Sequence, residues 1–408
     1  MGQHDAAERV ARTAYGRLVA YLAVRTRDIA AAEEALAAAF LRALETWPVK
    51  GVPERPEAWL LTAARNQLKD GWRREAVRSE AVVTLELLME EAAGGGAVVF
   101  PDAPFPDERL KLMFVCTHPA IEAGVRTPLM LQTVLGLSAE RIASSFMVRP
   151  AAMGQRLSRA KAKIRDAGIG FEVPEAGEWG VRLPHLLDAI YAAYGLGWGD
   201  FVGEDGPPGL AGDAVELGLA LHGLVPVTAE VNGLLALMLY CEARRAARFA
   251  GGDYVALPEQ ATELWDEGLM GRANGLLNAV VGLKQFGRYQ LEAAIQSVHM
   301  RRWQTGVTDW GEITQLYQGL LRVAPSLAGQ VGYAAALTEA ERAAEGLAVL
   351  DVMEAGRMAD YQPYWATRAH VLRALGQGDA AREAYGRAIG LSQHGSQRAF
   401  LMRRMAEV

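Results

Sequence analysis

The segment from Gly136 to Arg165 constrains the fold of this chain most, because it reads as two helices separated by a tight turn. Ser138 is a candidate N-cap for the first helix, and apolar residues follow it at the three- and four-residue spacing of one buried face. Pro150 cannot continue that helix, but it fits the first turn of a new one, where its missing N–H costs nothing. The pattern therefore predicts a helix that stops before Pro150 and a second helix that starts near it.

The second helix is amphipathic and strongly basic. Met153, Leu157, Ala160 and Ile164 form its predicted inward stripe, and no acidic residue interrupts 150–165 in a chain whose net charge is −6. A local excess of Arg and Lys is typical of phosphate contact, and Arg and Gln also read base edges. The alternative is a solvated basic helix in an ordinary bundle. The candidate DNA-binding residues are Arg149, Gln155, Arg156, Ser158, Arg159, Lys161, Lys163 and Arg165.

The composition excludes several other classes of protein. A length of 408 residues predicts two or three domains, and the Ala, Leu and Arg content predicts an all-α fold. Two cysteines, Cys116 and Cys241, give no disulfide framework and suit a reducing cytosol. We expect a cytoplasmic protein without a membrane segment, because no apolar stretch approaches the length that spans a bilayer and the N-terminus lacks a signal-peptide core.

Gly- and Pro-rich stretches divide the chain. Such residues break regular structure at 90–96 and 101–106, and a Gly followed by a Pro predicts a helix end over 168–174. A pattern similar to a tetratricopeptide repeat occupies 361–391, with small or packing residues at the expected positions, within a repeat-like region near 310–400. The predicted parts are a helical domain at 5–78, a flexible linker at 79–106, a second helical domain at 107–168 and a helical extension at 183–408.

The N-terminal domain interleaves aromatic and cationic residues. Its sequence predicts a helix from Ala31 to Trp47, ending before Pro48, and another that Pro56 opens. Interleaved rings and cations suit single-stranded DNA, because bases stack on the rings and phosphates pair with Arg and Lys. For each tryptophan by itself, a packing role is the better interpretation. The candidate residues are Arg65, Asn66, Lys69, Trp72, Arg73 and Arg74.

No catalytic or metal-binding motif stands out. The seven histidines are scattered, and there is neither a His-Glu-x-x-His motif nor a Gly-rich phosphate loop. Cys116 and His118 are the nearest approach to a nucleophile and a base, but on a helix they would point in different directions. His299 belongs either to a ligand groove or to a packed surface segment. We expect no catalytic residue, no metal and no cofactor.

Several motifs, in this order, resemble a known family. They are Arg42-Ala-Leu-Glu-Thr-Trp-Pro48, Pro56-Glu-Ala-Trp-Leu-Leu-Thr-Ala-Ala-Arg-Asn66, Leu110-Lys-Leu-Met-Phe-Val-Cys-Thr-His-Pro119, the helix-turn-helix and the final repeat. Together they resemble the extracytoplasmic-function sigma factors of bacterial RNA polymerase, in the sigma-70 family. The chain is most similar to the subgroup with a long C-terminal helical extension that ends in tetratricopeptide-like repeats.

The resemblance implies a role for each part. Residues 5–78 would correspond to sigma domain two, which binds core RNA polymerase through Glu33, Glu34 and Arg42 and holds the minus-ten promoter element near Arg65 to Arg74. Residues 107–168 would correspond to domain four, whose basic helix binds the minus-thirty-five element. The linker would thread through the polymerase, and the extension would regulate the front end or bind a protein or peptide partner.

Two other functions stay open at this point. One is an interaction scaffold, in which helical repeats bind another regulator and the sigma-like front end is degenerate. The other is a free-standing DNA-binding repressor. The sequence does not distinguish an activating extension from an inhibiting one, and it reveals neither the promoter nor the inducing signal.

Overall fold

The chain folds almost entirely into α-helices, which confirms the predicted all-α class. The computed structural model describes residues 3–78, 107–146, 148–199 and 209–408. The described residues form two compact units. The front unit holds residues up to 199 together with 209–217, and the C-terminal unit holds 218–408. The predicted linker at 79–106 lies outside the described residues.

Three long helices form the first part of the front unit. Helix α1 is Gln3–Thr26, α2 is Ile29–Lys50 and α3 is Pro56–Arg78. Asp28 caps α2 by accepting a hydrogen bond of 3.1 Å from the Ala31 N–H. The three helices share a core of fully buried side chains: Leu18, Leu22, Leu36, Ala43, Trp47, Leu60, Leu61 and Ala64.

The prediction that this helix ends before Pro48 is wrong, because α2 continues to Lys50 with Pro48 inside it. Pro48 removes the hydrogen bond of its own nitrogen and crowds the carbonyl four residues earlier, so this turn needs support from packing. Trp47 is 1% exposed, so packing holds this turn against the core. The helix ends at Gly51, whose N–H donates to the Trp47 carbonyl and whose φ of 85° favours glycine.

Shorter helices complete the front unit. They are α4 (Arg109–Cys116), α5 (Ala123–Thr133), α6 (Ala139–Ser145), α7 (Pro150–Asp166), α8 (Trp179–Gly199) and α9 (Leu210–Leu224), the last of which continues into the C-terminal unit. The side chain of Arg109 is 4% exposed and joins α4 to α9. Its guanidinium contacts the carboxylates of Asp107 at 2.7 Å, Asp213 at 3.2 Å and Glu216 at 2.9 Å.

Helices also dominate the C-terminal unit, where neighbours in sequence pack against each other. After α9 come α10 (Ala229–Ala243), a two-stranded antiparallel hairpin of β1 (Phe249–Ala250) and β2 (Asp253–Tyr254), α11 (Glu267–Val281), α12 (Arg288–Met300), α13 (Arg302–Thr305), α14 (Trp310–Val323), α15 (Leu327–Glu339), α16 (Ala343–Asp351), α17 (Ala355–Met358), α18 (Gln362–Ala374), α19 (Gly378–Leu391) and α20 (Gly395–Ala406). Helix α10 is buried along nearly its whole length. Within the described chain, no helix combines the length and the apolar character needed to cross a membrane.

The predicted repeat contains two helices that pack closely, α18 and α19. Gly376, in the turn between them, has a φ of 71°, which a glycine adopts without strain. The predicted packing residues Ala381, Ala384, Tyr385 and Ala388 are all buried. The assignment of this pair to the tetratricopeptide class stays a prediction.

Candidate nucleic-acid interface

The α6 and α7 pair has the N-cap, the helix start and the buried face that the sequence predicted. The Ser138 hydroxyl accepts a hydrogen bond of 3.3 Å from the Arg141 N–H and caps α6. Helix α7 begins at Pro150, and its inward stripe is buried: Met153, Leu157, Ala160 and Ile164 are at most 6% exposed. The predicted helix start and the predicted inward face are therefore confirmed.

Most of the predicted DNA-binding residues lie on the exposed surface of this pair. They are Arg149, Gln155, Arg156, Ser158, Arg159, Lys163 and Arg165. Among the residues that the structure describes, Arg149, Arg156, Arg159 and Lys163 have no acidic partner. Arg165 differs, because it lies 2.9 Å from Asp166. The unpaired cations concentrate positive charge on one short helix, which is the electrostatic requirement for binding phosphates.

Lys161 corrects the prediction that every polar residue of this helix faces outward. Its side chain is 10% exposed, and its Nζ lies 2.5 Å from Glu33 Oε2 on α2. The prediction treated α7 as a helix with one buried stripe, whereas α2 covers a second side of it. The structure thus joins a residue predicted to bind DNA to a residue predicted to bind polymerase. Glu34, the neighbouring acidic residue, is exposed.

A groove between α2 and α3 brings together residues that were predicted separately. It has a volume of about 450 Å³ and is called here the α2–α3 groove. The residues that line it are Arg42, Thr46, Lys50, Ala58, Trp59, Thr62, Ala63 and Asn66. Within the described part of the chain, Arg42 and Lys50 have no acidic partner. The groove therefore offers two cations, one ring and one amide to a ligand.

Trp59 is the aromatic residue of this groove. It is partly exposed, and its ring meets that of the buried Trp47 edge to face, with the centroids 5.6 Å apart. Such a contact holds the ring in place while leaving one side open to the groove. Sequence reasoning assigned Trp59 to packing, and only the fold shows that it serves both the core and the groove.

The remaining candidates of the minus-ten group divide into two sets. Arg65 is partly buried and Lys69 is exposed, and both lie on α3 outside the groove lining. The backbone of α3 extends to Arg78, but the side chains of Trp72, Arg73 and Arg74 lie outside the described part of the structure.

Helix α2 also carries exposed apolar residues that sequence reasoning missed. Leu41 is 64% exposed, Leu44 is 41% exposed and Val49 is 83% exposed. The sequence does indicate these exposed residues, since α2 has more apolar residues than one buried face requires. An exposed apolar group beside Arg42 is typical of a protein-binding surface.

Cys116, which was considered as a nucleophile, is buried, and His299, which was considered for a ligand groove, is half-buried. Burial raises the pKa of the Cys116 thiol to about 12, and its Sγ lies 3.7 Å from Thr133 Oγ1, so the thiol stays neutral. Burial, followed by the charges of Arg244 and Arg302, lowers the pKa of His299 to about 4, and its ring meets Trp310 edge to face. Among the described residues, no group of three His, Cys, Asp or Glu side chains is placed to hold a metal ion.

The C-terminal unit contains a pocket of about 360 Å³ whose lining includes His222, Asn232 and Arg272. Asn232 is fully buried. The Asn232 Oδ1 lies 3.2 Å from His222 Nδ1, and its amide donates to the Leu276 carbonyl at 3.1 Å. These bonds join three helices, so Asn232 has a structural role.

Comparison with known proteins identifies two parts of the chain. The family described as Sigma-70 region 2 matches residues 11–78, and a family of unknown function, DUF6596, matches residues 182–281. The uncharacterized protein R00370 of Rhizobium meliloti (strain 1021) is 36% identical over 392 residues, which cover 95% of this chain and 91% of the relative. No solved structure matches the chain.

Proposed function

We propose that this chain, which belongs to the same family as protein R00370 and carries a sigma-70 region 2 at its N-terminus, is a sigma factor of the extracytoplasmic-function group that directs RNA polymerase to promoters. The observation that carries the proposal is the α2–α3 groove, which lies within the region 2 match. Under this proposal the protein acts in the cytoplasm, with core polymerase and promoter DNA as its partners, and it performs no catalysis.

The α2–α3 groove would hold the unpaired strand of the minus-ten element. Trp59 offers a ring on which a base stacks, and stacking of this kind is worth about 1–3 kcal/mol per base. Arg42 and Lys50 offer charge to the backbone phosphates, and the exposed amide of Asn66 offers a donor and an acceptor to a base edge. This assignment moves Arg42 from the polymerase-binding set to the DNA-binding set.

Helix α7 would read the minus-thirty-five element in the major groove. Arg156, Arg159 and Lys163 are exposed and without acidic partners among the described residues, as phosphate and base contacts require. Core polymerase would bind α2 through its exposed apolar residues, with Leu41 and Leu44 in contact with the partner. The C-terminal unit would regulate these activities or bind a protein or peptide partner on its helical pairs.

The test is run-off transcription with core polymerase, the full-length chain and a pool of promoter templates. We expect transcripts that depend on the added chain. Replacement of Trp59 by alanine should reduce them by about fivefold to 150-fold, because a stacking platform of roughly 1–3 kcal/mol is lost. Trp59→Phe, which keeps a ring, should retain most of the activity.

The matched control is Trp303→Ala, which removes a partly buried tryptophan from the C-terminal unit. This variant should transcribe as the unaltered chain does. If neither transcripts nor a complex with core polymerase are found, the sigma proposal fails and the scaffold function takes its place. If Trp59→Ala transcribes normally, the proposal for the groove fails while the sigma assignment stands.

A further inference from the structure

Helices α9, α10 and α11 line a pocket in the C-terminal unit that the proposed function does not use. It has a volume of about 360 Å³ and is called here the Arg272 pocket. Small-molecule sites in proteins typically measure about 300–1,000 Å³, so the size suits a ligand. All of its lining residues lie within 182–281, the part of the chain that matches the family of unknown function.

A buried amide sets the orientation of one ring in this pocket, that of His222. The side-chain nitrogen of Asn232 donates to the Leu276 carbonyl at 3.1 Å, so its Oδ1 faces His222 Nδ1 at 3.2 Å. An amide oxygen only accepts hydrogen bonds, and Nδ1 of the neutral ring therefore carries the proton. The opposite ring atom, Nε2, is then an acceptor, and it has no partner among the residues that the structure describes.

The burial of Asn232 is costly unless the amide has a task. The residue is fully buried on α10, a helix whose other buried residues are almost all apolar. An apolar side chain at this position would need no hydrogen bond, whereas a buried amide must be satisfied by its neighbours. The bond that satisfies its oxygen also fixes which nitrogen of His222 is free to accept.

Arg272 supplies the charge of the pocket. Its side chain is exposed on α11 and has no acidic partner within the described part of the chain. The guanidinium is planar, and its paired N–H groups match the two oxygens of a carboxylate. The pocket therefore offers a site for an anionic group from Arg272 and an acceptor for a hydroxyl from His222.

The rest of the pocket is apolar and open. Leu219, Leu235 and Leu276 belong to its walls, and the side chain of Leu219 is 38% exposed. Gly275 lies in the interior of α11, where a Cβ would meet no atom of the described chain within 4 Å. Glycine is less favourable than alanine inside a helix, and no close approach requires it here. The space that it leaves is part of the pocket.

We propose that the Arg272 pocket binds a small hydroxylated carboxylic acid with an apolar body. The carboxylate pairs with the Arg272 guanidinium, the hydroxyl donates to His222 Nε2, and the apolar body covers the leucine walls. Asn232 is a positioning residue, which holds the imidazole in the tautomer that accepts. Binding needs neither DNA nor polymerase, so the proposal is independent of the sigma assignment.

The first experiment is calorimetric titration of the full-length chain with three phenolic acids of increasing length: para-hydroxybenzoate, para-hydroxyphenylacetate and para-hydroxyphenylpropionate. A ligand of this size that fits a pocket reaches a Kd on the order of 1 mM or tighter, and at least one acid should do so. Its neutral amide should bind about tenfold more weakly or worse, because the charge that Arg272 recognises is absent. Inorganic phosphate, which has no apolar body, should not bind.

A second experiment removes the charge from the protein instead of the ligand. Arg272→Gln should weaken binding of the best acid about tenfold or more, and it should bind the acid and its amide alike. The matched control is Arg322→Gln. It makes the same change at another exposed arginine of the C-terminal unit without an acidic partner in the described structure, and its affinity should be that of the unaltered chain.

Filling the pocket tests its location. Gly275→Leu should abolish measurable binding, because the new side chain occupies the space of the ligand. The fold should persist, since leucine is a better helix former than glycine. Gly386→Leu is the control, because Gly386 is an exposed glycine of α19 whose Cβ position is likewise free of described atoms. It should bind the acid normally.

His222→Leu separates recognition from packing. The unaltered chain should prefer the phenolic acid to its analogue without the hydroxyl by about threefold to tenfold, because the analogue leaves Nε2 without a donor. His222→Leu should bind the two alike. A purely structural role of His222 would lower both affinities and leave their ratio unchanged.

The outcomes are decisive for the pocket. The proposal is overturned if none of the three acids binds in the stated range, or if either Arg272→Gln or Gly275→Leu binds like its control. Circular dichroism checks that each variant is folded. Run-off transcription with the unaltered chain tests the sigma assignment separately, so a chain that transcribes but binds no acid loses only the pocket.

A chain that binds the acid but directs no transcription loses only the sigma assignment.

Discussion

The basic side chains of helix α7 and those of the C-terminal unit are similar in kind but differ in what surrounds them. In the C-terminal unit, several exposed or half-buried arginines lie within ion-pair distance of acidic residues, as Arg342, Arg368, Arg373, Arg382 and Arg387 do. On α7, Arg156, Arg159 and Lys163 have no such partner in the described structure. The carboxylate of its partner neutralises a paired cation. Unpaired cations that lie close together create a positive electrostatic field that attracts phosphate.

If pairing marks structural cations and its absence marks binding cations, the two groups should respond differently to the same substitution. Exposed pairs should contribute little to stability and nothing to DNA binding. Unpaired cations should contribute to DNA binding and little to stability.

The largest effect is expected from charge reversal on α7. Arg156→Glu together with Arg159→Glu should weaken the binding of duplex promoter DNA by about 100-fold or more, because two phosphate or base contacts are lost and repulsion is added. The salt dependence of binding should also become shallower, by a slope of about two. Anisotropy titrations at several salt concentrations measure both quantities.

The control is Arg382→Glu together with Arg387→Glu, which makes the same charge change on paired arginines of α19. Its DNA affinity should stay within about twofold of that of the unaltered chain, since these arginines are paired with acidic residues and are not on the helix proposed to bind DNA. An equal loss in both variants would show that net charge, and not the position on α7, sets the affinity. Core polymerase should still bind the α7 variant.

The next effect concerns Arg109, the buried and paired arginine of the front unit. Arg109→Met should lower the free energy of unfolding of this unit by about 2–3 kcal/mol, because three carboxylates are left close together without a counter-charge. Arg109→Lys should be intermediate, since an ammonium cannot replace the bidentate contact to Asp107. Denaturant unfolding measures both variants. Arg109→Met as stable as the unaltered chain would contradict the structural role.

A comparable effect of pH is expected in the C-terminal unit, where burial and the charges of Arg244 and Arg302 lower the pKa of His299. Because the pKa of His299 falls from its ordinary value of 6.5 to about 4 in the fold, the unfolded chain binds the extra proton first as the pH is lowered. Stability should be complete above about pH 6.5 and fall by about 2 kcal/mol as the pH drops to about 4.5.

His299→Gln removes this titration, so thermal unfolding of the variant should depend less on pH across that window. The comparison must be made on the transition of the C-terminal unit, since a two-unit protein does not unfold in one step. Identical pH profiles for the variant and the unaltered chain would show that His299 is hydrated in solution.

The smallest effect is expected for a single paired arginine. Arg387 lies 3.1 Å from Glu383 on an exposed helix face, and pairs of this kind contribute about 0.3–0.5 kcal/mol. Arg387→Gln should therefore change the unfolding free energy of the C-terminal unit by no more than about 0.5 kcal/mol. A much larger loss would show that its position over the Trp365 ring, 4.4 Å from the centroid, matters more than the ion pair.

Features that arise from residues close in sequence were predictable. The cap at Ser138, the start of α7 at Pro150 and the inward stripe of α7 all depend on spacing within a few residues. The end of α2 was not predicted, because the burial of Trp47 outweighs the local tendency of Pro48 to stop a helix. Tertiary packing overrides the local helix preference of a residue where the burial of a large side chain depends on it.

The chain by itself determined the all-α class, the helix pair over 139–166 and the cations available to bind a polyanion. Periodicity and capping act within one or two helical turns and are visible in the printed sequence. Only the tertiary structure decided that Arg42, Trp59 and Asn66 share one groove, that Arg156 stays unpaired among the described residues and that Lys161 is buried against Glu33. Those outcomes depend on which helices meet, since a charge 128 residues away in sequence becomes a neighbour only when the chain is folded.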